Sequence, residues 1–270
     1  MTNSEFAVEY SRIRVESNGG VAWVTLDRAE KLNALDPQML DELLSVLGTL
    51  RQRVDLSVLV LTGQGRYFSA GVDVNSAFFM ENIEDTSIFS GMRLLNEQHE
   101  LIKALWELPA ITIAAVQGDA VGGGGFGMAM ACDLRYAVRH ARFWMVPGEL
   151  NVVQDFGLSW MLQRAIGPAR TLEMALTGRI VTGEEGLTYG LVQGCEPDAD
   201  SLWECVRPLA ESIGRNSPDT NKMLKYVIRH GGTSSLNDQL PLEAIANGLA
   251  FQSKEFNQAK EAFLRRQRKE

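Results

Sequence analysis

An α/β core followed by a helical C-terminal region is the fold class the sequence predicts, and three observations predict it. Two short, mainly apolar runs, residues 56–61 and Ile111–Val116, alternate with segments of helical periodicity. Runs of that length read as strands covered on both faces, as parallel strands are. A small-residue turn (Phe68-Ser69-Ala70-Gly71-Val72-Asp73) follows the first run, and four glycines (Gly122-Gly123-Gly124-Gly125) lie between the second run and a helix. Beyond Ser201 the strand signal disappears and long helical patterns dominate. The expected division is an α/β core over 1–200 and a helical region over 201–270.

The elements follow in order. Residues 11–15 and Val21–Leu26 are β-rich and joined by Ser17-Asn18-Gly19-Gly20, the pattern of a hairpin. Asp36-Pro37 opens a helix, with Asp as N-cap and Pro at the first helical position. Leu40, Leu43, Leu44 and Leu47 then recur at helical spacing. Residues 75–90, with Phe78-Phe79-Met80 beside Glu81, fit a mobile loop or short helices. Helices are expected over 92–106 and 126–130, and a strand over 134–137.

Composition narrows the function. Of the 270 residues 45% are hydrophobic and 22% charged, which excludes general disorder. With 26 Lys+Arg against 34 Asp+Glu the net charge is −8, and the pI is about 5.1. That balance argues against a nucleic-acid partner, because phosphate binding needs a surplus of cations. Cys132, Cys195 and Cys205 have neither disulfide-framework nor zinc-ligand spacing, so no metal site is expected and a reducing, cytoplasmic setting is. The N-terminal residues lack the basic and apolar regions of a signal peptide. Residues 108–130 are broken by Gln117, Asp119 and glycines, so no membrane span is expected.

Two glycine-rich turns can aim backbone N–H donors at one oxygen, forming an oxyanion hole. The other readings of the glycine run are a phosphate loop or close packing. Gly-Lys-Ser/Thr is missing, so it is no Walker motif.

Five motifs in order resemble the crotonase (enoyl-CoA hydratase/isomerase) superfamily. They are Asp27-Arg28-Ala29-Glu30-Lys31-Leu32-Asn33-Ala34-Leu35, residues 68–73, Gln117-Gly118-Asp119-Ala120-Val121-Gly122-Gly123-Gly124, Ala131-Cys132-Asp133-Leu134, and Leu176-Thr177-Gly178-Arg179 with Gly190-Leu191-Val192. The resemblance implies a crotonase-like spiral of ββα units, a helical region for trimerisation, and homotrimers or dimers of trimers. It also implies an acyl-CoA thioester substrate, with coenzyme A present only as part of that substrate and no other cofactor. The implied hole is the Val72 N–H plus one from the glycine run. The segment from Gly118 to Asp133 is one residue longer than the family's, so counting forward gives Gly123 and counting back gives Gly124; Gly123 is preferred. Arg28, Lys31, Ala34, Ala70, Asp73 and, from the last helix, Lys260 or Arg265 are the implied substrate contacts. Phe78, Phe79, Met80, Met92 and Trp144 either line an acyl pocket or belong to the core.

A hydratase of this family uses two glutamates to activate one water. They should fall at Phe126 or Gly127 and at Pro147, and neither place holds an acid; Glu149 lies two residues beyond the second. Asp155, twelve positions after Phe143, instead resembles the acid of enoyl-CoA and dienoyl-CoA isomerases and the nucleophile of 4-chlorobenzoyl-CoA dehalogenase. On its own, Asp155 reads as a cap for the helix through Trp160 and Leu162. Apolar neighbours such as Phe156 and Trp160 are expected to raise its pKa. His99 falls near the dehalogenase histidine, although a histidine on a helix is more often a packing residue, and His140 and His230 read as solvated. The expected activity is double-bond isomerisation by Asp155. The alternatives are a hydrolase or dehalogenase-like enzyme on an aroyl-CoA or β-dicarbonyl substrate, or a non-catalytic oligomer that binds CoA esters or RNA.

Overall fold

The structure, a computed structural model, describes residues 9–76, 87–146 and 151–267. Phe78, Phe79, Met80, Pro147 and Glu149 lie outside the described residues.

The chain opens with the expected hairpin of β1 (Ile13–Asn18) and β2 (Val21–Leu26). Its turn residues Gly19 and Gly20 have φ of +58° and +79°, the type I′ geometry that matches strand twist. Asp36 caps α1 (Pro37–Arg51) by accepting the Met39 N–H at 2.8 Å. The apolar face of α1 then buries Met39, Leu43, Val46, Leu47 and Leu50. β3 (Val58–Gly63) is buried at every position, and β5 (Ile111–Val116) falls where its apolar run predicts.

β1, β2, β3, β5, β7 (Leu134–Val138) and β10 (Gly194–Glu196) form the main sheet in that order, parallel throughout except for β1 against β2. A second sheet joins β4 (Tyr67–Ser69), β6 (Asp119–Val121), β8 (Arg142–Trp144) and β9 (Val181–Thr182). β3, β5 and β7 are each followed by a short strand in the other sheet and then by a helix. β3 and β4 lead to α2 (Ile88–Trp106). β5 and β6 lead to a π-helical turn (Gly123–Gly127) that runs into α3 (Met128–Ala131). β7 and β8 lead to α4 (Leu158–Ile166) and α5 (Pro168–Thr177). This is the expected spiral of ββα units. Phe68, Phe126 and Phe143, all fully buried, fill the space beneath the short strands, with the Phe126 and Phe143 rings 5.2 Å apart.

The helix expected over 126–130 begins instead with the π turn at Gly123.

After α6 (Gly183–Tyr189), α7 (Ala199–Gly214) buries Leu202, Val206 and Ala210 against the main sheet. α8 (Pro218–Gly231) is fixed by a buried ion cluster, and α9 (Leu236–Ala250) and α10 (Lys254–Gln267) follow. In that cluster the Lys225 ammonium lies 2.7 Å from Asp133 and donates to the carbonyls of Leu108 and Ala110 at 2.7 and 2.9 Å. Arg229 donates to Asp133 at 2.5 Å, and its guanidinium covers the Trp106 ring at 3.6 Å. Burial pushes the Lys225 pKa down, and Asp133 opposes the shift. Among the described residues no helix is long and apolar enough to cross a membrane.

Removing Lys225 would leave Asp133 with less compensation for its buried charge, although Arg229 and Thr112 remain bound to it. Lys225→Ala is therefore expected to lower unfolding stability by about 3 kcal/mol, read from the urea midpoint.

Candidate active site

β4, β6 and β8 run parallel, so their carboxyl ends emerge at one edge of the second sheet. Three loops leave from there, and open parallel sheets commonly gather their sites at such an edge.

The first loop, 70–73, is held by the segment that precedes α1. Asn33, fully buried and with φ of +54°, donates through Nδ2 to the carbonyls of Gln64 and Tyr67 at 2.9 and 2.8 Å. Its Oδ1 accepts the Arg28 N–H at 3.0 Å, and its carbonyl accepts the Ser69 hydroxyl at 2.8 Å. Leu35 N–H donates to the Gly71 carbonyl at 2.7 Å, and Asp73 N–H donates to the Leu35 carbonyl at 2.9 Å. This parallel bridge between Leu35 and Val72 uses the groups on either side of Val72. The Val72 N–H therefore faces away from that partner and meets no acceptor among the described residues.

The second loop carries the glycines. Gly71 has φ of +90°, and a Cβ there would lie 2.8 Å from the Val121 carbonyl oxygen. A Cβ on Gly124 would lie 3.0 Å from the Val72 nitrogen. The two loops thus touch backbone to backbone. Gly123 and Gly124 begin the π turn, so their N–H groups lack intrahelical acceptors and sit at the positive end of the helix dipole.

The third loop brings Asp155. Its Oδ1 is 2.1 Å from where a Cβ on Gly123 would be, so the carboxylate rests on that glycine's backbone. The Phe156 ring, fully buried, covers the same glycine, with its Cδ2 2.4 Å from the same point. Asp155 does not cap the following helix with its side chain: Gly157 is the N-cap of α4, and only the Asp155 carbonyl accepts there, from Leu158 N–H at 3.1 Å. Burial pushes the Asp155 carboxyl above its ordinary value, while a backbone hydrogen bond pulls the other way. Of the two expected apolar neighbours, Phe156 is at the site. Trp160 instead packs edge-on to Trp106 at 5.2 Å beneath Arg164.

Beside Val72 opens a cleft of about 670 Å³ whose lining includes Arg28, Lys31, Ala34, Ala70, Val72 and Asp73. The sequence-predicted contacts of both early motifs therefore meet in one place. Arg28 is committed there to structure: its guanidinium bonds Asp73 at 2.7 Å and the Ala34 carbonyl at 3.0 Å, and pairs with Asp36 at 3.4 Å. Lys31 is exposed and has no partner among the described residues. Trp144 pairs in the sheet with Val121, just before the glycine run, and its buried indole N–H is unpartnered among the described residues. Phe126 and Gly127 are buried. Met92 is exposed on α2. Lys260 and Arg265 lie exposed on α10 and do not line the cleft. His140 is exposed, whereas the half-buried His230 meets the Gln239 side chain at 3.1 Å rather than being fully solvated. A second cavity of about 590 Å³, between α4 and α8, holds none of the predicted site residues, and its Lys225 and Arg229 already bind Asp133.

Sequence reasoning missed Asn33 as the organiser of the first loop. Its signal was available, because Asn tolerates the left-handed conformation better than most residues. Phe156 was expected beside Asp155, but its φ of +49° is announced by no composition or spacing.

A ββα spiral with free backbone donors and one carboxylate at the same sheet edge is the crotonase type of fold. The description "Enoyl-CoA hydratase/isomerase" belongs to the family model that residues 16–270 match, and this chain is a member of that family. It is 34% identical to a Rhodobacter capsulatus protein named "Probable enoyl-CoA hydratase", over 95% of this chain and 96% of that one. It is 31% identical to the 1,2-epoxyphenylacetyl-CoA isomerase of Escherichia coli, over 91% and 92% of the two chains. A crystal structure of enoyl-CoA hydratase from Bacillus anthracis superposes with a TM-score of 0.86 at 27% identity, covering 95% and 97%.

The contact of Asp155 with Gly123 leaves no room for a methyl group. Gly123→Ala is expected to displace the carboxylate and lower turnover by about 10²-fold, with a folded circular dichroism spectrum retained.

Proposed function

We propose that the protein isomerises the double bond of an enoyl-CoA thioester, with Asp155 as the single acid–base group. The Val72 N–H and an N–H of Gly123 or Gly124 are its oxyanion hole. The observation that carries this reading is the seating of the Asp155 carboxylate on Gly123, within the same glycine run that meets Val72.

In this mechanism the thioester oxygen accepts both N–H groups. The Asp155 carboxylate takes a proton from the α-carbon of a 3-enoyl thioester. The electron pair moves toward the carbonyl, giving a dienolate whose charge the two donors stabilise. Protonated Asp155 then returns the proton to the γ-carbon, the carbonyl re-forms, and the double bond lies between the α- and β-carbons. One carboxyl group performs both transfers, so no second acid and no water are consumed. Lys31 at the cleft is placed to meet CoA phosphate, and Ala34, Ala70 and Asp73 line the path of the thioester.

The raised pKa suits this role, because a stronger carboxylate base removes an α-proton more readily. A 30% identical Arabidopsis thaliana relative named "Delta(3,5)-Delta(2,4)-dienoyl-CoA isomerase, peroxisomal" supports a double-bond shift. Hydration, which the Rhodobacter name suggests, is less well served, since Phe126 and Gly127 supply no acid beside Asp155. By resemblance to its family the protein assembles as a trimer or a dimer of trimers. The exposure of Leu236, Leu240, Ile245 and Leu249 on α9 supports that assembly.

Turnover of enoyl-, aroyl- and β-ketoacyl-CoA esters in water carrying oxygen-18 tests the reaction class. A migrated double bond without oxygen-18 is expected, and oxygen-18 in the product would instead place a hydrolase or hydratase first. Asp155→Asn should abolish turnover and leave CoA-ester binding nearly intact; full activity in that variant would overturn the assignment.

The pH dependence has a definite sign. Catalysis requires ionised Asp155, so kcat/KM should rise through a limb above the ordinary carboxylate range. Stability should move the opposite way. A raised folded-state pKa favours the protonated fold, so wild type loses stability as pH climbs through that raised value. Asp155→Asn lacks this loss. It should be at least as stable as wild type at pH 7, with its advantage vanishing on acidification, as thermal unfolding across pH would show.

A further inference from the structure

We propose that His99 is a positioning residue for Asp155, its Nε2 accepting the Phe156 N–H and so holding the turn that lays the carboxylate on Gly123. The inference rests on Asp155 acting as the base.

The turn needs holding. Phe156 has φ of +49° and Gly157 φ of +71°, two successive residues in the left-handed region. A bulky side chain there is strained, and such a conformation persists only where its surroundings over-determine it. Three contacts do so. The Phe156 ring is fully buried against the backbones of Gly123 and Gly127. It meets the His99 ring edge-on, with centroids 5.6 Å apart and planes at 82°. The Phe156 N–H donates to His99 Nε2 at 3.2 Å. His99 in turn sits on α2, which is anchored by the buried Leu94, Leu101 and Leu105.

The direction of the third contact fixes the chemistry. A backbone N–H can only donate, so Nε2 is the acceptor and the ring's proton is on Nδ1. In this geometry the Nε2 lone pair is directed at the Phe156 N–H rather than at the substrate side of Asp155. The geometry therefore separates His99 from the water-activating histidine of the dehalogenase-like alternative. Its work is done through the backbone of the residue after Asp155.

The test compares three variants of the full chain, using the CoA ester that wild type converts. His99→Phe keeps the ring and removes the acceptor. His99→Asn also removes it, because its shorter side chain stops near the Nδ1 position. His99→Gln returns an amide oxygen near the position of Nε2. The acceptor-less variants are expected to lose kcat by about 10²-fold with KM within about twofold of wild type. Hydrogen exchange should speed up at the Phe156 amide, and His99→Gln should recover most of both losses. Wild-type kcat in His99→Phe and His99→Asn would overturn the proposal. So would equal losses in all three with the Phe156 amide still protected, which would assign His99 to proton transfer. Asp155→Asn is the control that separates the two claims. If it stays active, the isomerase reading fails; if it is dead while the acceptor-less variants run at full rate, only the positioning role of His99 fails.

Discussion

Two stretches of backbone touch at the carboxyl edge of the second sheet with no side chain between them. Gly71 lies against the Val121 carbonyl, and Gly124 lies against the nitrogen of Val72. That approach brings free N–H groups from two separate ββα turns to one small region, and the rest of the site is arranged around it. It has an entropic cost, since glycine loses more conformational freedom on folding than other residues. The cost is offset by the hydrogen bonds of Asn33 to Gln64, Tyr67 and Ser69 beside the first loop, and by the backbone bonds that join Ala70, Gly71 and Asp73 to Leu32 and Leu35. At a net gain of about 1 kcal/mol each, such bonds fix a loop that has little apolar surface of its own to bury.

Charge is distributed around this contact in a consistent way. Arg28 lies in the cleft and pairs with Asp36 and Asp73, which braces the loop. Lys31 lines the same cleft, exposed and without a partner among the described residues. Asp155 stands apart from these pairs, half-buried against Gly123 and Phe156. Its environment disfavours the ionised form. A carboxylate so placed is a stronger base than one in water, and the backbone donors nearby favour charge on the substrate oxygen instead. In the proposed isomerisation, desolvation of the acid and stabilisation of the oxyanion would act on opposite ends of one proton transfer.

Much of this was legible in the sequence. The long strands β3 and β5 were readable because mainly apolar runs report burial on both faces, and the Asp36-Pro37 cap marked α1. The glycine turns and Asp155 were visible as candidates once five motifs stood in order. The strands of the second sheet were not visible, because two or three residues such as Val181–Thr182 cannot show a period. The π turn was hidden too: helical spacing placed a helix near Phe126, and only the hydrogen-bond geometry puts its start at Gly123. The bond from Phe156 to His99 joins residues 57 apart in the chain. No local pattern carries a contact of that range, so His99 was undecided between packing and chemistry until the fold brought the two together.

The central claim is that the free amides and Asp155 act on one thioester group. A crystal structure with a non-reactive acyl-CoA analogue tests it most directly. The account predicts the thioester oxygen within hydrogen-bond distance of the Val72 nitrogen and of Gly123 or Gly124. It also predicts an Asp155 oxygen facing both the α- and γ-carbons of the acyl chain. A thioester oxygen turned away from Val72, or an acyl chain running away from Asp155, would contradict it.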